Sequence, residues 1–314
     1  MSNEIIVTVY CLAYNHEKYI RDALEGFVMQ KTNFKYEVLI HDDASTDGTT
    51  EIIKEYAKRY SFIKPIYQKE NQYSKGVSIA KEYMFPNIRG KYVAFCEGDD
   101  YWIDCNKLQM MVDIMEQNPN CSMCCHAYQN VHANNGNVVG TIRTLCKDGV
   151  ITPEIAIEYK NPPQLASQMF RREIVVERPE IYWNTGVGDY PLLLFAAVSG
   201  DMYYLSNVMA VHRVEADGSW TQRIYNNPEL RCKHFSQMKN FLNIFDKYYK
   251  YEYHHAVEKR LELIALSEAI AKHDYLAIKN SNAYKENVSL KRKILVAVGI
   301  PFPCLAQMIE KIMR

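Results

Sequence analysis

Two acidic clusters carry the residue types most able to do chemistry. Glu97-Gly98-Asp99-Asp100-Tyr101-Trp102 and His41-Asp42-Asp43-Ala44-Ser45-Thr46-Asp47-Gly48 each follow an apolar, β-rich run. Carboxylates repel phosphate, yet they hold it through a hard divalent cation, which takes one or two carboxylates plus phosphate oxygens. The run 97–100 contains no basic residue, so Mg²⁺ or Mn²⁺ on Asp99 and Asp100 is the expectation there. The plainer alternative is an acidic turn that caps the next helix. It suits Asp104, ahead of Lys107, better than it suits the pair. Neither a G-x-G-x-x-G nor a Walker A motif occurs, so phosphate is not held in a glycine-rich cradle. Cys121, Cys124, Cys125 and His126 make half a zinc site without a second pair at suitable spacing, and read better as buried small side chains.

These clusters need elements to position them. Ile5 to Leu12, Tyr36 to Ile40, Ile63 to Tyr67 and Tyr92 to Cys96 read as strands, the third demoted towards an edge by Pro65. Between them, a helix capped by Asn15 carries Tyr19, Ile20, Ala23, Leu24, Phe27 and Val28 at helical spacing, and a second spans Thr50 to Tyr60. Strands alternating with helices predict an α/β fold with a mainly parallel, Rossmann-like, doubly wound sheet and helices on both faces. Ligands of such sheets sit outside the carboxyl ends of the strands, where both acidic clusters fall.

Further along, Lys107 to Gln117 and Tyr190 to Ser199 read as helices. Cys121 to Val131, Gly140 to Leu145 and Ser167 to Arg171 read as strands, the first two around an Asn-Gly turn at 134–136. From Asn227 the chain is helical, rich in Tyr, Lys and Glu. The expected division is a sheet domain over 1–223, with a nucleotide-binding half at 1–105 and an acceptor half at 106–223, then a helical appendage at 224–314.

The 314 residues carry 37 basic and 37 acidic side chains, a balance without the basic surface that nucleic-acid binding needs. No apolar run reaches the roughly 18 residues of a membrane span, and Met1 to Val7 does not read as a signal peptide. The nine Cys at irregular spacing fit reduced thiols in a cytoplasm.

Taken together, Val9 to Asn15 with the helix to Gln30, Ile40 to Thr49, Asn71 to Gly76, Gly90 to Trp102, Gly188 to Leu192 and Met209 to Arg213 carry a resemblance over roughly residues 4 to 220. The chain resembles the family 2 glycosyltransferases, with their GT-A fold, and among them the bacterial enzymes that build capsule, lipopolysaccharide and related surface glycans. The resemblance implies a metal-dependent, inverting transfer from a nucleotide-diphospho-sugar, UDP-linked, to a glycan or polyprenyl-linked acceptor. It places Tyr14 near the nucleotide base and Asp43 on the uracil N3–H. Asp42 then shapes the loop or approaches the ribose, the alternative for both being an Asx turn. Glu97, Asp99 and Asp100 match the acidic metal motif, with Asp100 the principal ligand, Asp99 also implied to contact the sugar or ribose, and Trp102 among the donor-binding residues.

Asp189 matches the catalytic base, which takes the acceptor hydroxyl proton, although it also stands where a helix N-cap belongs. Relatives commonly read Tyr-Arg-x-His where this chain has His212-Arg213-Val214-Glu215. Arg213 is thereby expected to meet diphosphate or to hold the acceptor-side loop. His212 is a candidate site residue against a packed core histidine, and Trp220 a candidate lid over the sugar.

Residues 285–314 combine six basic with two acidic residues, interleaved with Leu295, Val296, Phe302, Ile309 and Ile312. That pattern suits a basic amphipathic segment on an anionic membrane surface, which would place a cytoplasmic enzyme at the inner face of the membrane, or else a helix packed on a domain or partner. Two competing functions remain at this level. A sugar nucleotidyltransferase needs a glycine-rich, basic loop after the first strand, and Leu12 to His16 is not one. A catalytically silent nucleotide-sugar-binding scaffold rests on the altered 212–215 segment alone.

Overall fold

The β-branched and aromatic residues of Ile5–Ala13 form a strand covered on both faces, with Val7, Val9 and Cys11 fully buried on one side and Thr8 and Tyr10 on the other. The computed structural model describes residues 4–183, 185, 188–216, 219, 222–224, 227–284, 293, 296, 297 and 300. After that first strand, β1, come α1 (Ile20–Val28), β2 (Lys35–Asp42), α2 (Thr49–Arg59), β3 (Ile63–Tyr67), β4 (Tyr92–Phe95) and β5 (Tyr101–Trp102). The second half adds α3 (Lys107–Gln117), β6 (Cys121–His132), β7 (Val138–Ile142), β8 (Gly149–Ile151) and α4 (Pro153–Glu158). Then follow β9 (Gln168–Arg171), α5 (Arg172–Val176), α6 (Asp189–Ser199) and β10 (Asp201–Val214).

The sheet runs β3-β2-β1-β4-β9-β6-β10-β5, with β7 on β6 and β8 on β10. β3, β2, β1 and β4 are mutually parallel. Beyond β4 the sheet is mixed: β9 runs antiparallel to β4 and β6, while β6 and β10 are parallel. The α/β architecture of the sequence reading is therefore present, with its parallel character concentrated in the first half. Chain order reverses at β1, since β2 lies on one side and β4 on the other, and that is where an open sheet leaves a ligand crevice. Register brings Ala13 opposite Asp42 and Tyr10 opposite Phe95, so the loops leaving β1, β2 and β4 emerge together.

Three local expectations are corrected. Asn15 does not cap α1: it has a positive φ of 55°, and the helix starts at Ile20. Asp104 stands two residues ahead of the α3 cap, Asn106, whose N–H it accepts at 2.8 Å. β10, 14 residues long, was not read as a strand from sequence, because Ser206 and Asn207 interrupt the apolar pattern at a register shift between Leu205 and Val208.

The described chain divides into two compact units, one of residues 1–156, 160–180 and 189–219, the other of 157–159, 181–188 and 220–314. The first contains the sheet. The second contains α7 (Pro228–Tyr248), capped by the Asn227 side chain with Pro228 at its first position, α8 (His254–Ala271) and α9 (Tyr275–Asn280). Its core is aromatic: Tyr182 packs on Phe241, and Phe245 on Tyr249 at 4.8 Å between centroids. Among the described residues no helix is long and apolar enough to cross a membrane.

Candidate active site

The loop after β1 and the loop after β2 are zipped together. Asn15 N–H donates to Ser45 Oγ at 3.0 Å, and Asn15 Oδ1 accepts from Thr46 N–H at 2.8 Å. His16 N–H donates to Thr49 Oγ1 at 2.8 Å and Glu17 N–H to Asp47 Oδ2 at 3.0 Å. The positive φ of Asn15, tolerated by that residue type, turns the chain into this contact. The loop after β4 closes on the same place: Gly98 N–H donates to Leu12 O at 2.9 Å, and a Cβ at Gly98 would lie 2.8 Å from His16 Nδ1. Glycine is needed there because the acidic turn passes directly against the imidazole.

Asp42 and Asp43 are both buried and do different work. Asp42 accepts from Ser45 N–H and from the Thr50 hydroxyl, locking the loop onto the start of α2. Asp43 accepts Gln72 N–H at 2.7 Å and Tyr73 N–H at 3.0 Å, which ties the 71–76 segment to the crevice. Each Asp43 oxygen keeps a further lone pair for a ligand N–H. The Tyr14 ring is 44% exposed at the mouth of the crevice, open to stacking.

The acidic turn is the electrostatic centre. Glu97 is half-buried, and burial, then Asp99 and Asp189, push its carboxyl up to about 8. Asp100 is only 1% exposed, and burial, then Asp99, raise it well above the usual carboxylate range. Asp189, the exposed first residue of α6, is the least of the three influences that raise Glu97. Asp189 Oδ1 accepts Tyr190 N–H at 2.8 Å, and its second oxygen makes no hydrogen bond among the described residues.

Crowded carboxylates whose ionised forms are disfavoured are what a cation would relieve, and their hard oxygens fit Mg²⁺ or Mn²⁺. Among the described residues no three His, Cys, Asp or Glu side chains could hold an ion unaided. A cation here needs ligand or water oxygens to complete its shell, the ordinary habit of Mg²⁺.

Arg213 is committed inside the protein. Its backbone N–H donates to Asp100 Oδ1 at 2.9 Å, and its guanidinium donates to Asp99 O at 2.8 Å and to the Asp22 carboxylate. The same guanidinium lies 4.4 Å from the Tyr101 ring centroid and 5.1 Å from that of Tyr19. It braces the acidic turn, and its side chain is 9% exposed. The donor-binding assignment of Trp102 is overturned. Its side chain is buried at 2% exposure, donates Nε1–H to Ala166 O at 2.9 Å and packs edge-on against Phe27. An aromatic residue at a strand end follows the same sequence pattern whether it faces crevice or core. His212 is packed rather than free, its Nδ1 3.0 Å from Asn130 Oδ1 and its ring edge-on to Tyr128, with burial lowering its pKa. Trp220 lies outside the described residues, as does most of 285–314.

Two residues at the site escaped sequence reasoning. His16 stands between the first and third loops, with burial foremost lowering its pKa, Asp99 opposing, and its Nδ1 enclosed without a hydrogen-bond partner. Gln164, which follows Pro162-Pro163, donates Nε2–H to Asp100 Oδ2 at 2.8 Å. His16 was within reach of sequence, since it directly follows Tyr14-Asn15; Gln164 carried no local signal.

With this geometry in view, the comparisons with known proteins agree. Residues 8–172, just over half of the chain, match the family model for glycosyl transferase family 2. The uncharacterized protein Rv1520 of Mycobacterium tuberculosis is 34% identical over 227 residues, 68% of this chain and 60% of the relative, so the chain spans less than two thirds of that protein's length. The putative teichuronic acid biosynthesis glycosyltransferase TuaG of Bacillus subtilis is 34% identical over 110 residues, 35% of this chain and 42% of its own. WfgD of Escherichia coli, a UDP-Glc:alpha-D-GlcNAc-diphosphoundecaprenol beta-1,3-glucosyltransferase, is 31% identical over 138 residues, 44% of this chain and 51% of its own. In fold, the chain is similar to S. aureus TarS 1–349, crystallised with UDP-GlcNAc, at a TM-score of 0.63 and 19% identity, covering 92% of this chain and 78% of that one. The mannosyltransferase PcManGT from Pyrobaculum calidifontis, solved with GDP-Man and Mn²⁺, gives a TM-score of 0.59 at 20% identity, covering 96% and 81%. The GT-A sheet, the acidic turn at its crevice and the matched residues 8–172 agree: the chain belongs to glycosyl transferase family 2.

Proposed function

We propose that this chain is a metal-dependent, inverting glycosyltransferase that moves a sugar from a UDP-linked donor to a glycan or polyprenyl-linked acceptor in surface-polysaccharide synthesis. The single observation that carries the reading is the acidic turn Glu97 to Asp100 after β4, packed on the loop after β1 through Gly98 N–H and Leu12 O, with the buried Asp100 carboxylate held by Arg213 N–H and Gln164. Relatives and fold neighbours support the chemistry: WfgD by its name uses UDP-Glc and a diphosphoundecaprenol-linked acceptor, TarS was solved with UDP-GlcNAc, and PcManGT with Mn²⁺.

In this reading residues 1–105 hold the donor and 106–223 the acceptor. The base stacks against Tyr14, and Asp43 accepts the uracil N3–H through the lone pairs that Gln72 and Tyr73 leave open. Asp42 keeps the loop in shape. Asp100 and Asp99 hold the divalent cation, with Glu97 beside them. When bound, Mn²⁺ or Mg²⁺ offsets the charge that collects on the departing diphosphate. Asp189 then takes the proton of the acceptor hydroxyl as that oxygen attacks the anomeric carbon. One Asp189 oxygen is held by the Tyr190 amide, and the other, without a hydrogen bond among the described residues, receives the proton. The basic, apolar 285–314 segment brings the enzyme to an anionic bilayer where lipid-linked acceptors reside.

The test is UDP release from a panel of UDP-sugars with and without Mn²⁺. Metal-dependent release that Asp189→Ala abolishes while UDP binding persists supports the proposal. Absence of release from every donor, with and without added lipid-linked acceptor, sinks it.

A further inference from the structure

Asp100 is buried, yet neither of its oxygens is left to chance. Oδ1 accepts the backbone N–H of Arg213 at 2.9 Å, a donor fixed by β10, and Oδ2 accepts Gln164 Nε2–H at 2.8 Å. Gln164 is fixed in its turn. Its Oε1 accepts Ala166 N–H at 2.6 Å, which settles which end of the amide faces Asp100. The short 3₁₀ turn Leu165–Ser167 that supplies this amide is held by Ser167 Oγ–H donating to Gln164 O at 2.6 Å. Trp102 Nε1–H donating to Ala166 O ties the same turn to β5, two residues beyond Asp100. A chain of hydrogen bonds thus runs from the turn through one amide into the acidic motif.

From this geometry we infer that Gln164 is a positioning residue, which fixes the rotation of the Asp100 carboxylate and so decides which lone pairs face the divalent cation. The inference rests on the metal-site reading above. A carboxylate offers about four acceptor positions. Two are taken here by donors that cannot move, so the remaining two have a set direction. Loss of the Gln164 donor frees the carboxylate to turn about its Cβ–Cγ bond, and each turned state presents the cation with poorer geometry. Hydrogen bonds behind metal-ligating carboxylates commonly contribute about 10–100-fold to metal affinity.

Gln164→Asn is the informative variant. Asparagine is a favoured cap and can still accept from Ala166 N–H, but its shorter side chain cannot span the distance to Asp100. The probe is Mn²⁺ binding in the presence of saturating UDP, read by electron paramagnetic resonance of free Mn²⁺ on the full chain. Wild type is expected to bind, Asp100→Asn to lose most of that binding, and Gln164→Asn to bind about 10-fold more weakly. Ser167→Ala loosens the turn that steadies Gln164 but leaves its amide in place, so its Mn²⁺ affinity should fall less than that of Gln164→Asn. Gln164→Met, which fills the same volume without a donor, serves if the asparagine variant does not fold, with the same loss expected. If wild type and Gln164→Asn bind Mn²⁺ equally, the inference is overturned while the metal site stands. Equal weakening in Ser167→Ala overturns it too, since the turn rather than the amide would then matter. If wild type itself shows no UDP-dependent Mn²⁺ binding, it is the metal-site reading that fails.

Discussion

Gly26 offers a test in which two well-understood effects oppose each other. It lies inside α1, where replacing glycine by alanine ordinarily stabilises a helix by about 1 kcal/mol. Here, however, an added Cβ would stand 2.9 Å from Trp102 N, 3.0 Å from Trp102 O and 3.3 Å from Trp102 Cβ. The first two are backbone atoms of β5, which is itself paired to Val211 and Ala210 of β10 and cannot yield as a side-chain tip would. Ordinary contact at about 3.5 Å then requires α1 and the acidic turn to separate by roughly 0.5 Å. Overpacking of this kind costs about 1–3 kcal/mol, about 2 at the middle of the range, against the helix gain of about 1. The net cost is then about 1 kcal/mol at the middle of that range, so Gly26→Ala should lower Tm by roughly 2–4 °C, at about 2–4 °C per kcal/mol. Since Asp99 and Asp100 immediately precede β5, transfer should fall on the order of 10-fold, in line with about 100-fold for a displacement of 1 Å. Thermal unfolding and UDP release on the same preparations decide it. A raised Tm with unchanged turnover would refute the claim that α1 and the acidic turn are in hard contact.

Three further outcomes follow from the same structure. Asp43→Asn sets an amide N–H₂ against a backbone N–H of Gln72 or Tyr73, and should raise the donor KM roughly 10–100-fold in steady-state kinetics and cost about 1–3 kcal/mol in denaturant unfolding. Glu37, buried beneath Arg89 and the Thr8 hydroxyl on the strand following α1, lies away from the crevice. Glu37→Gln should cost about 1–3 kcal/mol in denaturant unfolding and leave kcat unaltered. Lys107 is fully buried between the Trp102 ring and Met111 Sδ, and burial lowers its pKa to about 8. Between about 8 and the unfolded value near 10.4 the unfolded chain binds the extra proton, so this contribution to stability rises with pH across that window and the full penalty applies below it. Lys107→Met should flatten that rise and be more stable at pH 7, as pH-dependent denaturation would show.

Much of the nucleotide half was legible because its signals are local. Strand β1, the 42–48 loop and the 97–100 turn are short runs whose composition and order follow from what a crevice at parallel strand ends requires, and the register of β1 with β2 and β4 brings them together. Legibility ended where partners are far apart in sequence. Gln164 meets Asp100 across 64 positions and Arg213 meets it across 113, and no periodicity announces either contact. Arg213 shows the consequence: its residue type fits diphosphate, but Asp22, Tyr19 and Tyr101 from two other elements claim the guanidinium first. Trp102 failed for a related reason, since Ala166, Phe27 and Lys107 decide its surroundings and none is its sequence neighbour along the strand. The long β10 was obscured by a polar interruption that the sheet accommodates as a register shift.

The central claim is that a carboxylate at the start of α6 and a cation-holding turn at the end of β4 together transfer sugar from UDP. The most direct measurement is UDP release in a matrix of wild type, Asp189→Ala and Asp100→Ala, with Mn²⁺ or with chelator, alongside UDP affinity for each protein. Release is expected only for wild type with metal. Asp189→Ala should keep its Mn²⁺-dependent UDP affinity while turnover falls by at least about 100-fold, the scale of general-base catalysis. Turnover that survives both the chelator and Asp189→Ala would contradict the claim.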